Sequence, residues 1–290
     1  MDLKQTLRDY GVQVADGGSH RHVREGWIGV DCPWCGKGTG KNHLGIELST
    51  HRCTCWKCGP HRLGDTLVAL TGLPLPTVLG WKIKRGPTPH RLPQMVGTLE
   101  VPSGVGQLLR PHLAYLKKRG LDPQQIQDQW GVQAIGLSSY LQWRLFIPIH
   151  FEMEMVSWTT RSIGDDGTRY ISAEPDKEQL HHRDLLYGED CTGPSIVVVE
   201  GPIDVWAIGP GAVATMGLAT TPAQVEKIAR HPYRVICFDA ETTAQKRAHR
   251  LARELQGFPG TTTVVELESG SDAASADPQE VEELQKFLTK

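Results

Sequence analysis

The chain has 290 residues, room for two or three domains at roughly 100–200 residues each. Apolar residues make up 39% and charged residues 22%, a globular balance that excludes a disordered or fibrous chain. The formal charge of −2 hides an asymmetry: residues 1–90 carry 12 Lys/Arg against 7 Asp/Glu, and both later thirds carry an acidic excess. A basic front suits an anionic partner, and an acidic back collects carboxylates.

No apolar run approaches the ~18 residues of a membrane helix, and the strongest, Ile196-Val197-Val198-Val199, is strand-sized. Met1-Asp2-Leu3-Lys4 is not followed by the apolar core of a secretory signal. The expectation is a soluble cytoplasmic protein without a membrane partner.

In chain order, Trp27–Val30 and His43–Leu48 read as strands, and Cys32, Cys35, Cys53, Cys55 and Cys58 cluster around them. Cys32-Pro33-Trp34-Cys35 and Cys55-Trp56-Lys57-Cys58 are two CxxC knuckles at zinc-site spacing. Each knuckle offers two thiolates, and two knuckles close a tetrahedron around one structural Zn²⁺. A disulfide framework lacks an export signal to support it, and a redox motif needs one CxxC rather than two. Cys32, Cys35, Cys55 and Cys58 are the expected ligands, with Cys53 and His51 close enough in sequence to substitute. Gly64-Asp65 predicts a helix capped by Asp65 and closed by Gly72. The zinc unit spans 1–73, and metal binding supplies folding energy that so small a core lacks. Residues 74–104 hold six prolines and read as a semi-extended tether.

From Ser195 the pattern alternates strand and helix. Strands are predicted at Ile196–Val199, Ala212–Met216, Arg234–Phe238 and Thr261–Leu267. Helices follow, the second capped by Thr221-Pro222 and the last by Asp277-Pro278. Apolar strands alternating with helices predict a parallel sheet covered by helices. Glu200, Asp239 with Glu241, and Asp272 fall just beyond three strand ends, where such sheets build their sites. Carboxylates gathered at one edge repel one another unless a cation sits between them, and Mg²⁺ or Mn²⁺ suits oxygen donors.

These residues resemble a known family. Glu200-Gly201-Pro202-Ile203-Asp204 followed by Asp239-Ala240-Glu241 is similar to the TOPRIM metal motifs. Cys55-Trp56-Lys57-Cys58-Gly59 running into Gly64-Asp65 is similar to the zinc-binding domain of DnaG-type bacterial and phage DNA primases. Tyr115 through Leu121, Arg144 through Ile149, Arg161, Arg169-Tyr170 and Leu186-Tyr187-Gly188 follow the family's order between them. The resemblance implies an α/β chain: zinc-binding domain 1–73, Pro-rich linker 74–104, N-terminal part of a primase core 105–194, and TOPRIM subdomain 195–290. It implies DNA-directed synthesis of short RNA primers on single-stranded DNA from ribonucleoside triphosphates. Glu200, Asp239, Glu241 and Asp272 would hold catalytic Mg²⁺ or Mn²⁺. Lys117, Lys118, Arg119, Arg144 and Arg161 would face template or nucleotide phosphates, the alternative for each being solvated surface charge. Trp34 and Trp56 would either stack on template bases or pack on the zinc core. Glu241 stands where the family usually has Asp. The chain stops soon after the TOPRIM helices, as in a minimal phage- or mobile-element-type primase with its helicase on a separate chain. The competing functions are a non-catalytic zinc/TOPRIM DNA-binding scaffold and a TOPRIM nuclease or topoisomerase fragment. The latter needs a tyrosine nucleophile, which no motif singles out.

Overall fold

The computed structural model describes residues 1–18, 23–84, 95–137, 140–164, 167–217 and 219–289, so the middle of the expected tether, 85–94, lies outside the described residues. The chain divides into two compact units, one of residues 1–91 with 249–262 and one of residues 92–248 with 263–290.

The first unit opens with helix α1 (Leu3–Asp9), where the Asp2 carboxylate accepts from the Gln5 N–H at 3.2 Å and Leu3 and Leu7 face inward one turn apart. An antiparallel five-stranded sheet follows: β1 (Ala15–Asp16), β2 (Trp27–Val30), β3 (Leu44–Glu47), β4 (Cys53–Cys55) and β5 (Gly59–His61), ordered as in sequence. Period-two alternation sends Leu44 and Ile46 of β3, with Cys53 and Cys55 of β4, to the same core as Leu3 and Leu7. Helix α2 (Leu63–Thr71) ends at Gly72, whose φ of +73° favours glycine. Its start differs from expectation: the N-cap is Arg62, and Asp65 lies within the first turn. The Thr66 N–H donates to the Arg62 carbonyl at 2.9 Å, which starts the helix ahead of the anticipated cap. The front of the Pro-rich segment is also helical, as α3 (Leu75–Leu79), with Pro74 at the N-cap and Pro76 in the first turn, where a missing N–H costs nothing. Residues 249–262 join this unit through the Cys53 N–H, which donates to the Gly257 carbonyl at 2.8 Å, and through Arg52 over the Phe258 ring.

The second unit holds two sheets. The antiparallel one contains β6 (Val105–Gly106), β7 (Gln133–Ile135), β8 (Arg144–Phe151), β9 (Glu154–Ser162) and β10 (Tyr170–Ser172), ordered β10-β9-β8-β7-β6. The β8–β9 hairpin turns through Glu152 and Met153, both at positive φ, and Asp190 accepts from both their N–H groups. Helices α4 (Arg110–Lys118) and α5 (Pro123–Trp130) precede β7.

The other sheet has the order β12-β11-β13-β14, with β11 (Ser195–Val199) parallel to both β12 (Ala212–Ala214) and β13 (Tyr233–Ile236). Every residue of β11 is buried. Helix α6 (Pro202–Ile208) follows it, α7 (Pro222–Ala229) starts at the expected Thr221 cap, which Gln224 completes into a capping box, α8 (Thr242–Leu255) follows β13, and α9 (Pro278–Leu288) starts at the expected Asp277 cap. β12, β13 and the edge strand β14 (Thr261–Val264) are each shorter than predicted. The backbone nonetheless stays in register beyond β12, with the Met216 N–H, at φ +53°, donating to the Glu200 carbonyl at 3.0 Å.

Candidate metal centres

Cys32 and Cys35 lie just after β2, Cys55 ends β4, and Cys58 closes the turn into β5. Sγ of Cys32 lies 3.5 Å from that of Cys58, and Sγ of Cys35 lies 3.4 Å from that of Cys55. All four fall within 4.8 Å of one another. A tetrahedral Zn–S distance near 2.3 Å implies sulfur–sulfur edges of about 3.8 Å, so the donor set fits zinc. Gly59, at φ +93°, lets the chain leave the second knuckle in the left-handed region. The Lys57 N–H donates to the Cys55 sulfur at 3.4 Å, which favours the thiolate. Cys53 is excluded from the cluster: burial pushes its thiol up to about 12, and its sulfur contacts the His51 carbonyl. His61 is an addition that the spacing did not reveal. Its Nε2 lies 3.1 Å from the Cys58 sulfur and its ring stacks on Trp34 with centroids 3.9 Å apart.

The acidic residues come from three loops that the backbone ties together. The Ala240 N–H donates to the Ser271 carbonyl at 2.9 Å, and the Ala274 N–H donates to Asp204 Oδ1 at 3.3 Å. Asp239 titrates high, at about 6, because burial and then the Glu200, Asp272 and Glu241 charges oppose its ionisation, with Arg247 pulling the other way. Glu200, Asp239 and Asp272 are thereby brought into one electrostatic neighbourhood. Glu241 is exposed and is the weakest of the three like charges acting on Asp239. Among the described residues, Asp272 Oδ1 is buried without a hydrogen-bond partner. An orphaned carboxylate oxygen among mutually repelling acids is the donor chemistry that a hard divalent cation satisfies.

Two members of this centre were not among the candidates. Asp204 sits at the third position of α6, where Gly201 is the N-cap. Burial, followed by the Asp272 and Asp239 charges, pushes Asp204 up to about 7. A Cβ on Gly201 would lie 3.3 Å from Asp204 Oδ2, so glycine permits this close approach. Arg247 of α8 donates through one nitrogen to both oxygens of Glu200, each at 2.8 Å. Asp204 had a signal, its i+4 spacing from Glu200 across one helix entry, whereas Arg247 had none.

The basic candidates separate. Lys117 and Lys118 are exposed at the end of α4, and Arg119 lies over the Tyr115 ring. Arg161 is buried, with its Nε donating to the Tyr115 hydroxyl at 3.1 Å and its guanidinium over the Tyr170 ring. Tyr170 in turn reaches the Glu200-Gly201 turn, its hydroxyl 3.5 Å from where a Gly201 Cβ would stand. Arg144 is placed differently from the expectation that it faces phosphates. It is buried, and it donates to Thr160 Oγ1 and to the Thr168 and Arg169 carbonyls at 2.6–3.0 Å. Trp56 and Trp34 are 74% and 46% exposed, outside the zinc core.

Residues 197–276 match the Toprim-like family. A comparison with curated proteins finds no match. Among solved structures, the Aquifex aeolicus primase (zinc-binding and RNA polymerase domains) aligns over 100% of this chain and 83% of its own, at 14% identity and a TM-score of 0.52. A DnaG primase catalytic domain bound to single-stranded DNA covers 62% of this chain and 71% of its own, at 19% identity and a TM-score of 0.52. The RNA polymerase domain of Mycobacterium tuberculosis DnaG covers 62% and 75%, at 19% identity and a TM-score of 0.51. Residues 197–276 are thus a Toprim-like segment of an α/β chain with an N-terminal four-cysteine cluster. More particularly, its fold is that of the zinc-binding and polymerase domains of DnaG-type primases. Among the described residues, no helix is long and apolar enough to cross a membrane.

Proposed function

We propose that this protein is a DNA primase, a nucleotidyltransferase that makes short RNA primers de novo on single-stranded DNA from ribonucleoside triphosphates. The observation that carries this is that hydrogen bonds tie the loops of Asp239, Asp272 and Asp204 together beside the parallel sheet of a chain with a primase fold, with the Glu200 and Asp272 charges acting on Asp239. Glu200, Asp239, Asp272 and the more exposed Glu241 are the residues that would hold Mg²⁺ or Mn²⁺. When bound, such ions neutralise triphosphate charge and lower the pKa of the attacking hydroxyl. Asp204 joins the acidic group, held by the Ala274 N–H. Arg247 restrains Glu200 and offsets part of the acidic field. Lys117, Lys118 and Arg119 supply cations for the template backbone, and exposed Trp34 and Trp56 offer ring faces for template bases. The zinc centre holds the strands that present both rings. A replicative helicase on a separate chain is the expected partner.

The test is primer synthesis on varied single-stranded templates with Mg²⁺ or Mn²⁺, for wild type beside Glu200→Gln and Asp239→Asn. Wild type yields short oligoribonucleotides, and both variants lose product while keeping fold and zinc content. A folded, metal-supplied wild type that makes no product on any template overturns the proposal. Cleavage of circular DNA would instead favour a Toprim nuclease.

A further inference from the structure

Outside the two centres above lies one more group of ligating side chains. Glu178, His181 and His182 each place a donor atom within 4.8 Å of the other two. They occupy the segment that leads from β10 to β11. Glu178 is fully buried and, among the described residues, has no lysine or arginine partner. Its Oε2 accepts from the Ser157 hydroxyl of β9 at 2.5 Å and from the His182 N–H at 2.9 Å, and it faces His182 Nδ1 at 2.9 Å. Its Oε1 faces His181 Nδ1. Two imidazoles therefore present the same ring nitrogen to one carboxylate, meeting edge to face with centroids 4.9 Å apart. The His181 side chain is 35% exposed and that of His182 14%, which leaves one side of the group open to an entering ion.

A buried carboxylate must be compensated, by hydrogen bonds or by a cation. Read as hydrogen bonds alone, the group requires a proton on both Nδ1 atoms and leaves the carboxylate with neutral partners when the imidazoles are uncharged. A divalent ion in their place supplies that charge and uses every donor. We propose that Glu178, His181 and His182 form a second transition-metal site, selective for Zn²⁺ or another borderline first-row divalent ion over Mg²⁺. Two imidazoles with one carboxylate favour such ions. The Ser157 hydroxyl and the His182 amide orient the ligating carboxylate, as outer partners do in established sites. The ion would brace the crossing segment. On one side the Gln179 N–H donates to the Val156 carbonyl of β9. On the other, the Thr221 hydroxyl donates to the Arg183 carbonyl and the Arg183 side chain donates to the Ala219 carbonyl. The site stands apart from primer synthesis and does not depend on it.

Co²⁺ is the probe. It is titrated into the purified full chain with zinc retained in the four-cysteine centre and excess Mg²⁺ present to occupy the acidic centre. Wild type binds one equivalent of Co²⁺ with the visible absorption of nitrogen and oxygen ligands and no thiolate charge-transfer band. His181→Ala, at a partly exposed position, and the near-isosteric Glu178→Gln lose that equivalent at unchanged circular dichroism. Should Glu178→Gln fail to fold, His181→Ala and His182→Ala decide. Wild type taking up no Co²⁺, or His181→Ala taking up as much as wild type, overturns the site.

Discussion

Asp204→Asn isolates the electrostatic cost of the acidic centre. Asp204 is buried, and its pKa rises from the ordinary 3.8 to about 7 on folding, first through burial and then through Asp272 and Asp239. A group whose pKa is raised in the folded state contributes stability below its unfolded pKa and loses it as pH climbs through the folded value. Wild type without added Mg²⁺ therefore weakens between about pH 4 and pH 8. Linkage over a three-unit shift predicts that ionising Asp204 costs about 2–3 kcal/mol between pH 5 and pH 8, at ~1.4 kcal/mol per unit. Asparagine keeps the shape and an oxygen acceptor for the Ala274 N–H but never ionises. Urea melts of zinc-loaded wild type and Asp204→Asn at both pH values, following the transition of the unit that contains residues 92–248, measure the effect. The variant should gain stability relative to wild type as pH rises, and Mg²⁺ at pH 8 should stabilise wild type more than the variant. A stability difference that is the same at pH 5 and pH 8 would refute the electrostatic account.

Other substitutions test the remaining contacts. Cys55→Ser should release zinc and unfold the first unit, read by metal analysis and limited proteolysis, and in primer assays impair initiation more than extension. Arg247→Ala removes the cation held by Glu200, so Mn²⁺ affinity by titration should rise several-fold while stability falls by about 1 kcal/mol, the usual scale of a partly exposed ion pair. Arg144→Ala should cost about 2–3 kcal/mol in denaturant melts, because Thr160 and two carbonyls lose a charged, buried donor. Lys117→Ala should leave stability unchanged and weaken single-stranded DNA binding in a salt-dependent way.

Much of the cysteine cluster was legible in the residues because it is local. A CxxC knuckle needs only a tight turn, and Cys32, Cys35, Cys55 and Cys58 converge as their spacing implies. Thr221-Pro222 and Asp277-Pro278 mark helix starts through contacts spanning two or three residues. Glu200 and Asp239 were expected near each other because parallel strands end together; β11 and β13 are parallel neighbours, and the Glu200 charge acts on Asp239.

Tertiary structure decided what depends on distant partners. Arg247 meets Glu200 across 47 residues of sequence. Asp204 enters the acidic centre because folding brings Asp239 and Asp272 close to it and removes its water. Arg144 turns inward because β9 supplies the Thr160 hydroxyl and the approach to β10 supplies two carbonyls, satisfying its donors away from solvent. Residues 249–262 join the first unit through a main-chain bond at Cys53 and through Arg52 over the Phe258 ring, partners far apart in sequence. Turns, caps and knuckles are set by neighbours along the chain, whereas burial, pKa and ion pairing are set by neighbours in space.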